Sequence, residues 1–227
     1  MKRKGGDSYY ISRAKRLLAD FDAISRVTRG VLEEHRDAAF AGNAAGRARA
    51  QFAGLLPTLP YIGGDANFLT ADLIEAAVIL AWYKALSAEG MGAKEIGRIV
   101  HETIRRRVRR YPRPMLRLVG RLKEGRWFMR RRARQAARSQ ERRYPGDWVF
   151  RFVPGDGNEL LYGLDFTECA ICTLYRAHGV SEAVPINCAV DFIMADAFGM
   201  RLRRTKSLGY GDGVCNFRYL KKRDKRD

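Results

Sequence analysis

The sequence predicts an α+β fold in which a helical N-terminal half packs with a C-terminal antiparallel sheet carrying two helices. Three observations predict it. Apolar residues recur at helical spacing as far as about residue 145. The character of the chain changes at Tyr144-Pro145-Gly146-Asp147, a cluster of chain breakers. Beyond it the elements read in the order β-β-α-α-β-β, the signature of helices gathered on an antiparallel sheet. The expected division is a helical region over 1–145, with a basic helix in 105–143, and an α+β catalytic or ligand-binding region over 146–227, compatible with one integrated domain.

The elements follow in order. Ile11, Ala14, Leu17, Leu18, Phe21 and Ile24 mark a first amphipathic helix. A second runs from Val31 to Phe52, before the breakers Pro57, Pro60, Gly63 and Gly64. A strongly apolar helix spans about Thr70 to Ala88 and ends at Gly90. The next carries Ile96, Ile99, Val100, Ile104 and Val108 on one side and stops at Pro112 and Pro114. A last, very basic helix is predicted over Met115 to Arg138. Trp148 to Val153 has the β-branched and aromatic content of a strand, Pro154 to Asn158 forms a turn, and Leu160 to Leu164 pairs back. Asp165 and Glu168 have the spacing of a capping box, which predicts a helix from Asp165 to Gly179. A further helix runs from Ser181 to Phe198. Leu202–Leu208 and Cys215–Tyr219 then form a hairpin around a glycine-rich loop.

Composition excludes several classes. An apolar fraction of 46% is too high for general disorder, and four cysteines are too few for a disulfide scaffold. The basic start is followed by no apolar segment of the secretory kind, so the expected location is cytoplasmic and the thiols are expected to be reduced. Asp72, Glu75 and Lys84 interrupt the greasiest stretch, Leu69 to Leu86, which therefore reads as a core helix and not as a transmembrane segment. The net charge is +18, and the segment 105–143, with 17 Lys+Arg against Glu124 and Glu141, supplies +15 of it.

The residues able to do chemistry gather in the last third. Cys169 is expected in the first turn of its helix, where unpaired amides and the helix dipole favour a thiolate. Cys172 follows one turn on; the alternative for both is a small buried hydrophobe. Cys188 and Asp191 share a helix face, and a carboxylate among Phe192, Met194 and Phe198 must be paired, protonated or used. Arg204 alternates in phase with Leu202 and Leu208, so it enters the interior and needs an anionic partner, either Asp191 or a substrate carboxylate. Arg218 and Thr205 offer further polar contacts. Four thiols raise the question of zinc, but the spacing lacks two close pairs, so neither metal nor cofactor is expected. His35, His101 and His178 share no metal or triad spacing, and the glycine clusters lie in hairpin turns, away from any strand-to-helix phosphate loop.

Three motifs carry a family resemblance: Gly163-Leu164-Asp165-Phe166-Thr167-Glu168-Cys169; Asn187-Cys188-x-x-Asp191-Phe192-x-Met194-Ala195; and Leu202-x-Arg204-Thr205-x-Ser207-Leu208, with Gly211 and Cys215-Asn216-Phe217-Arg218-Tyr219. Together they resemble the L-2-amino-thiazoline-4-carboxylic acid hydrolase family. The resemblance implies hydrolysis of a carbon–nitrogen bond in a small cyclic amidine, opening the thiazoline ring toward N-carbamoyl-cysteine. It implies catalytic roles for Cys169, Cys188, Asp191 and Cys215, and substrate binding by Arg204, Thr205 and Arg218. Asn216 stands where the family often has Asp, and Ser207 where Thr is usual.

Attack at the amidine carbon needs either a thiolate, with Asp191 passing protons, or water, with Asp191 as base. Arg204 and Arg218 are then expected to hold the substrate carboxylate. Two other classes compete. The same constellation could line the pocket of a non-catalytic small-molecule sensor. Alternatively, the arginines of 105–143, interleaved with Trp127, Phe128 and Tyr144, could bind nucleic acid or another acidic surface.

Overall fold

The computed structural model describes residues 6–222. Seven helices come first: α1 (Gly6–Ser12), α2 (Ala14–Leu32), α3 (Ala38–Leu55), α4 (Thr70–Ser87), α5 (Ala93–Arg109), α6 (Arg113–Lys123) and α7 (Arg126–Ser139). The hairpin β1 (Val149–Pro154) and β2 (Leu160–Glu168) follows. Next come α8 (Ala170–Ala177), α9 (Val184–Phe198), β3 (Arg201–Arg203) and β4 (Cys215–Leu220). The predicted α+β class is the observed one.

Helix α4 is apolar on nearly every side, so it lies at the centre, with Leu73, Ala77, Leu80, Ala81 and Leu86 fully buried. Helix α3 approaches it closely because Ala41, Ala44 and Ala48 keep the shared face shallow. Asp37 starts α3 by accepting a hydrogen bond from the Phe40 amide at 2.7 Å. Phe21 of α2 stacks on Phe52 of α3 at 4.9 Å. One hydrophobic cluster extends from Tyr10 through α4 to Phe217, so helices and sheet share a core. Among the described residues no helix is long and apolar enough to cross a membrane.

The sheet is antiparallel, in the order β1-β2-β4-β3. Its register places Phe150 opposite Phe166, Leu164 opposite Phe217 and Tyr162 opposite Tyr219 on one face, the face that meets the helices. Phe150–Phe166 and Tyr162–Tyr219 stack at 4.8 and 4.6 Å. Arg151, Asp165, Asn216 and Arg218 alternate onto the opposite face.

Three expectations are corrected. Asp165 and Glu168 cap no helix. Strand β2 continues through both, because it pairs with β1 on one side and β4 on the other, and two ladders outweigh a local cap. Helix α8 therefore begins at Ala170, with Cys169 as its N-cap residue and not in its first turn. The single basic helix is two, α6 and α7, parted at Glu124-Gly125. The second hairpin is also shorter on one side. β3 ends at Arg203, since the Asn216 Oδ1 takes up the amides of Thr205 and Lys206 at 2.9 and 2.7 Å, and the chain leaves the ladder there.

Candidate functional site

The Arg204 side chain enters the interior just after β3 and is only 4% exposed. One arm of its guanidinium donates to Asp191 Oδ2 at 2.7 Å, the other to the Cys188 carbonyl oxygen at 2.7 Å. The rings of Phe192 and Phe217 each lie 4.9 Å from its charge. Of the two partners weighed from the sequence, a carboxylate of α9 and a substrate, the first is in place. Arg204 thus clamps α9 to the end of β3.

Asp191 is surrounded by protein, yet 44% of its side chain is accessible. Its carboxylate therefore packs against protein and still meets solvent. Burial pushes its carboxyl up to about 6 against the pull of Arg204, and the nearby charge of Asp72 adds to the rise. At neutral pH it is a carboxylate of raised basicity, which suits a general base.

The four thiols converge at the ends of α8, α9 and β4, near enough to influence one another's ionisation. Burial holds Cys188 up at about 11, so it rests as a thiol with Sγ 3.5 Å from Ser207 Oγ. Cys215 is buried. Its thiol donates to Ser207 Oγ at 3.6 Å and its sulfur accepts the Leu208 amide at 3.1 Å, which fastens the loop between β3 and β4. Gly209 fits this packing because a Cβ there would come within 2.8 Å of Cys188 Sγ. Cys169 and Cys172 neighbour one another, and their contact together with burial holds Cys169 well above the ordinary thiol range. That is opposite in direction to the dipole-stabilised thiolate expected there. Among the described residues no group of three or more His, Cys, Asp or Glu side chains is arranged to hold a metal ion.

The remaining sequence candidates lie elsewhere. Arg218 is on the outer face of the sheet, paired with both oxygens of Asp165 at 2.6 and 3.2 Å across Gly163. Thr205 is exposed and accepts from Asn216 Nδ2 at 2.8 Å. Asn216 is thus a backbone pin, a task in which its oxygen acts as an aspartate oxygen would. His101 meets the Ile186 carbonyl at 2.9 Å and His178 meets Thr58 at 3.4 Å.

One charged group near Asp191 is missing from the sequence candidates, Asp72. Asp72, in the first turn of α4, is close enough to Asp191 and Tyr219 to influence both. Crowding by protein and the Glu75 charge push Asp72, whose residue is still exposed to solvent, up to about 6, with Arg132 and Lys123 opposing. Arg132 of α7 lies 3.8 Å over Phe68 and Lys123 of α6 lies 4.2 Å over Phe198; burial lowers both. Among the described residues, none of Asp72, Lys123 and Arg132 forms an ion pair. A charge at the start of the most apolar helix was a readable signal for Asp72. Nothing in the sequence distinguishes Arg132 from its arginine neighbours.

A family described as L-2-amino-thiazoline-4-carboxylic acid hydrolase matches residues 71–219. That span runs from the first turn of α4 to Tyr219 and includes Asp72, Lys123, Arg132, Asp191 and Arg204. No curated protein and no solved structure matches the chain.

Proposed function

The chain belongs to the L-2-amino-thiazoline-4-carboxylic acid hydrolase family, and we propose that it hydrolyses a small carboxylated cyclic amidine of that type. The observation that carries this reading is the accessible, basic carboxylate of Asp191, held in place by Arg204. Water is the nucleophile the site suits best. A thiol held up at about 11 leaves Cys188 protonated at neutral pH, whereas Asp191 is ionised and exposed to solvent.

Asp191 removes a proton as water adds to the amidine carbon, and its carboxylic acid then returns that proton to the departing atom. Arg132 and Lys123, cations without an ion-pair partner among the described residues, hold the substrate carboxylate. Asp72 faces the amidinium. Arg204 acts as a positioning residue, its two arms already engaged within the protein.

Atom balance ties the bond to the product. Fission of the ring carbon–nitrogen bond leaves S-carbamoyl-cysteine, with a free amine, whereas N-carbamoyl-cysteine, with a free thiol, requires carbon–sulfur fission. A nitrogen leaving group needs a proton donor, which Asp191 supplies, so the carbon–nitrogen route is the one this site serves. The test incubates the full chain with L-2-amino-thiazoline-4-carboxylate and follows the gain of one water together with free thiol. Water gain without thiol release supports the scheme, and thiol release moves the cleavage to carbon–sulfur. Binding without turnover at any pH would overturn the hydrolase assignment and favour a sensor.

A further inference from the structure

A cleft of about 710 Å³ lies between α7 and two facing segments, 62–69 and 144–149, with Phe68 and Glu168 in its lining. Its size is that of a small-molecule site. One wall is a single stripe of α7. Trp127, Arg131, Arg134 and Arg138 recur at steps of four, three and four residues, which places them on one helix face, and all line the cleft. Arg143 and Tyr144 continue the lining beyond the helix.

Two features set this stripe apart from an ordinary solvated basic face. Like charges at helical spacing repel one another, and among the described residues Arg131, Arg134, Arg138 and Arg143 have no ion-pair partner. Beside them, Arg142, the only non-glycine residue with positive φ (48°) among those described, is held by an ion pair to Glu168 at the cleft rim. Backbone strain of this kind persists where the surroundings impose it, and it clusters at binding sites. Trp127 is 66% exposed, with the Arg131 guanidinium 5.6 Å over its ring, and so presents a large aromatic surface to solvent beside a cation.

We propose that this cleft binds a small phosphorylated ligand bearing a planar ring, of the nucleotide class, with the ring on Trp127 and the phosphates on Arg131, Arg134 and Arg138. Guanidinium forks match phosphate oxygens pairwise, and an aromatic platform accepts any base. A volume of about 710 Å³ matches one small molecule, and a polymer is the competing outcome of the test. The proposal is independent of the hydrolase reading, because the amidine reaction calls for no nucleotide.

The test uses the full chain with ATP, inorganic tripolyphosphate and a single-stranded oligonucleotide as probes, read by tryptophan fluorescence and calorimetry. ATP is expected to saturate one site and quench Trp127. Tripolyphosphate, lacking a ring, should bind about tenfold more weakly. The double variant Arg134→Ala/Arg138→Ala should lose about a hundredfold in ATP affinity. The control Arg110→Ala/Arg113→Ala, which removes equal charge from exposed positions outside the cleft, should lose little. Hydrolase turnover should be the same in all of these proteins. Equal losses in the two double variants, equal affinity for ATP and tripolyphosphate, or no saturation at millimolar ATP would each overturn the proposal. So would oligonucleotide binding that outcompetes ATP and collapses steeply with salt.

Discussion

Replacing Asp191 with Asn separates the electrostatic role of this residue from its shape, since amide and carboxylate are nearly isosteric. In the native protein Arg204 is sealed between Phe192 and Phe217, and Asp191 is its ion-pair partner. The amide oxygen can keep the 2.7 Å hydrogen bond but removes the counter-charge. Breaking a fully buried pair costs about 3–5 kcal/mol. Here 44% of the Asp191 side chain reaches solvent, which screens the pair, and the hydrogen bond survives. A loss of about 1–2 kcal/mol is therefore expected, a fall in Tm of about 2–8 °C for a chain of this length. Turnover should fall further, by about 10²–10⁴, because the general base is gone.

The pH dependence carries the sign. With its carboxyl raised to about 6, Asp191 loses its charge as pH falls through 6, so kcat/KM should decline on the acid side of that value. In kcat, where the bound amidinium holds Asp72 ionised, the Asn variant should lack this acid limb. Thermal melts and pH–rate profiles on both proteins make the comparison. Turnover within a factor of two of wild type would refute the base assignment, and low activity that keeps the acid limb would move it to Asp72.

Three further outcomes are expected. Cys188→Ser should retain substantial turnover, since the thiol rests protonated beside Ser207; complete loss in a folded variant would restore covalent catalysis at that sulfur. Arg132→Gln should raise KM about tenfold with little change in kcat, because it removes a charge-assisted contact to the substrate carboxylate and leaves Asp191 untouched. Gly120→Ala should lower Tm by the equivalent of about 1–3 kcal/mol despite its better helix propensity. Its Cβ would lie 2.0 Å from the Phe198 carbonyl oxygen, at the contact of α6 with α9, whereas Gly30→Ala, with nothing within 4 Å, should be neutral or stabilising.

Local pattern was a good guide where one interaction dominated. The apolar run of α4, the apolar periodicity of α5 and the phase of Arg204 relative to Leu202 were all legible, because burial follows directly from which surfaces are apolar. It misled where two local preferences competed with long-range pairing. Asp165 and Glu168 satisfy every rule of a helix start, yet β1 and β4 claim that stretch from both sides. Arg218 reads as a second substrate contact, but strand alternation turns it to the outer face, where Asp165 pairs with it.

Chain order alone therefore determined the α+β class, the cysteine- and acid-bearing motifs of the last third and the inward course of Arg204. These depend on periodicity and charge burial, which act between near neighbours. Only the tertiary structure decided that Asp191 opens to solvent, that Asp72 of α4 lies near enough to raise its carboxyl, and that Cys188 rests protonated. Proton affinity is set by how much protein, and which charges, surround a group from every side. For Asp191 they include Asp72 of α4 and Arg204 beyond β3, brought beside α9 only by folding.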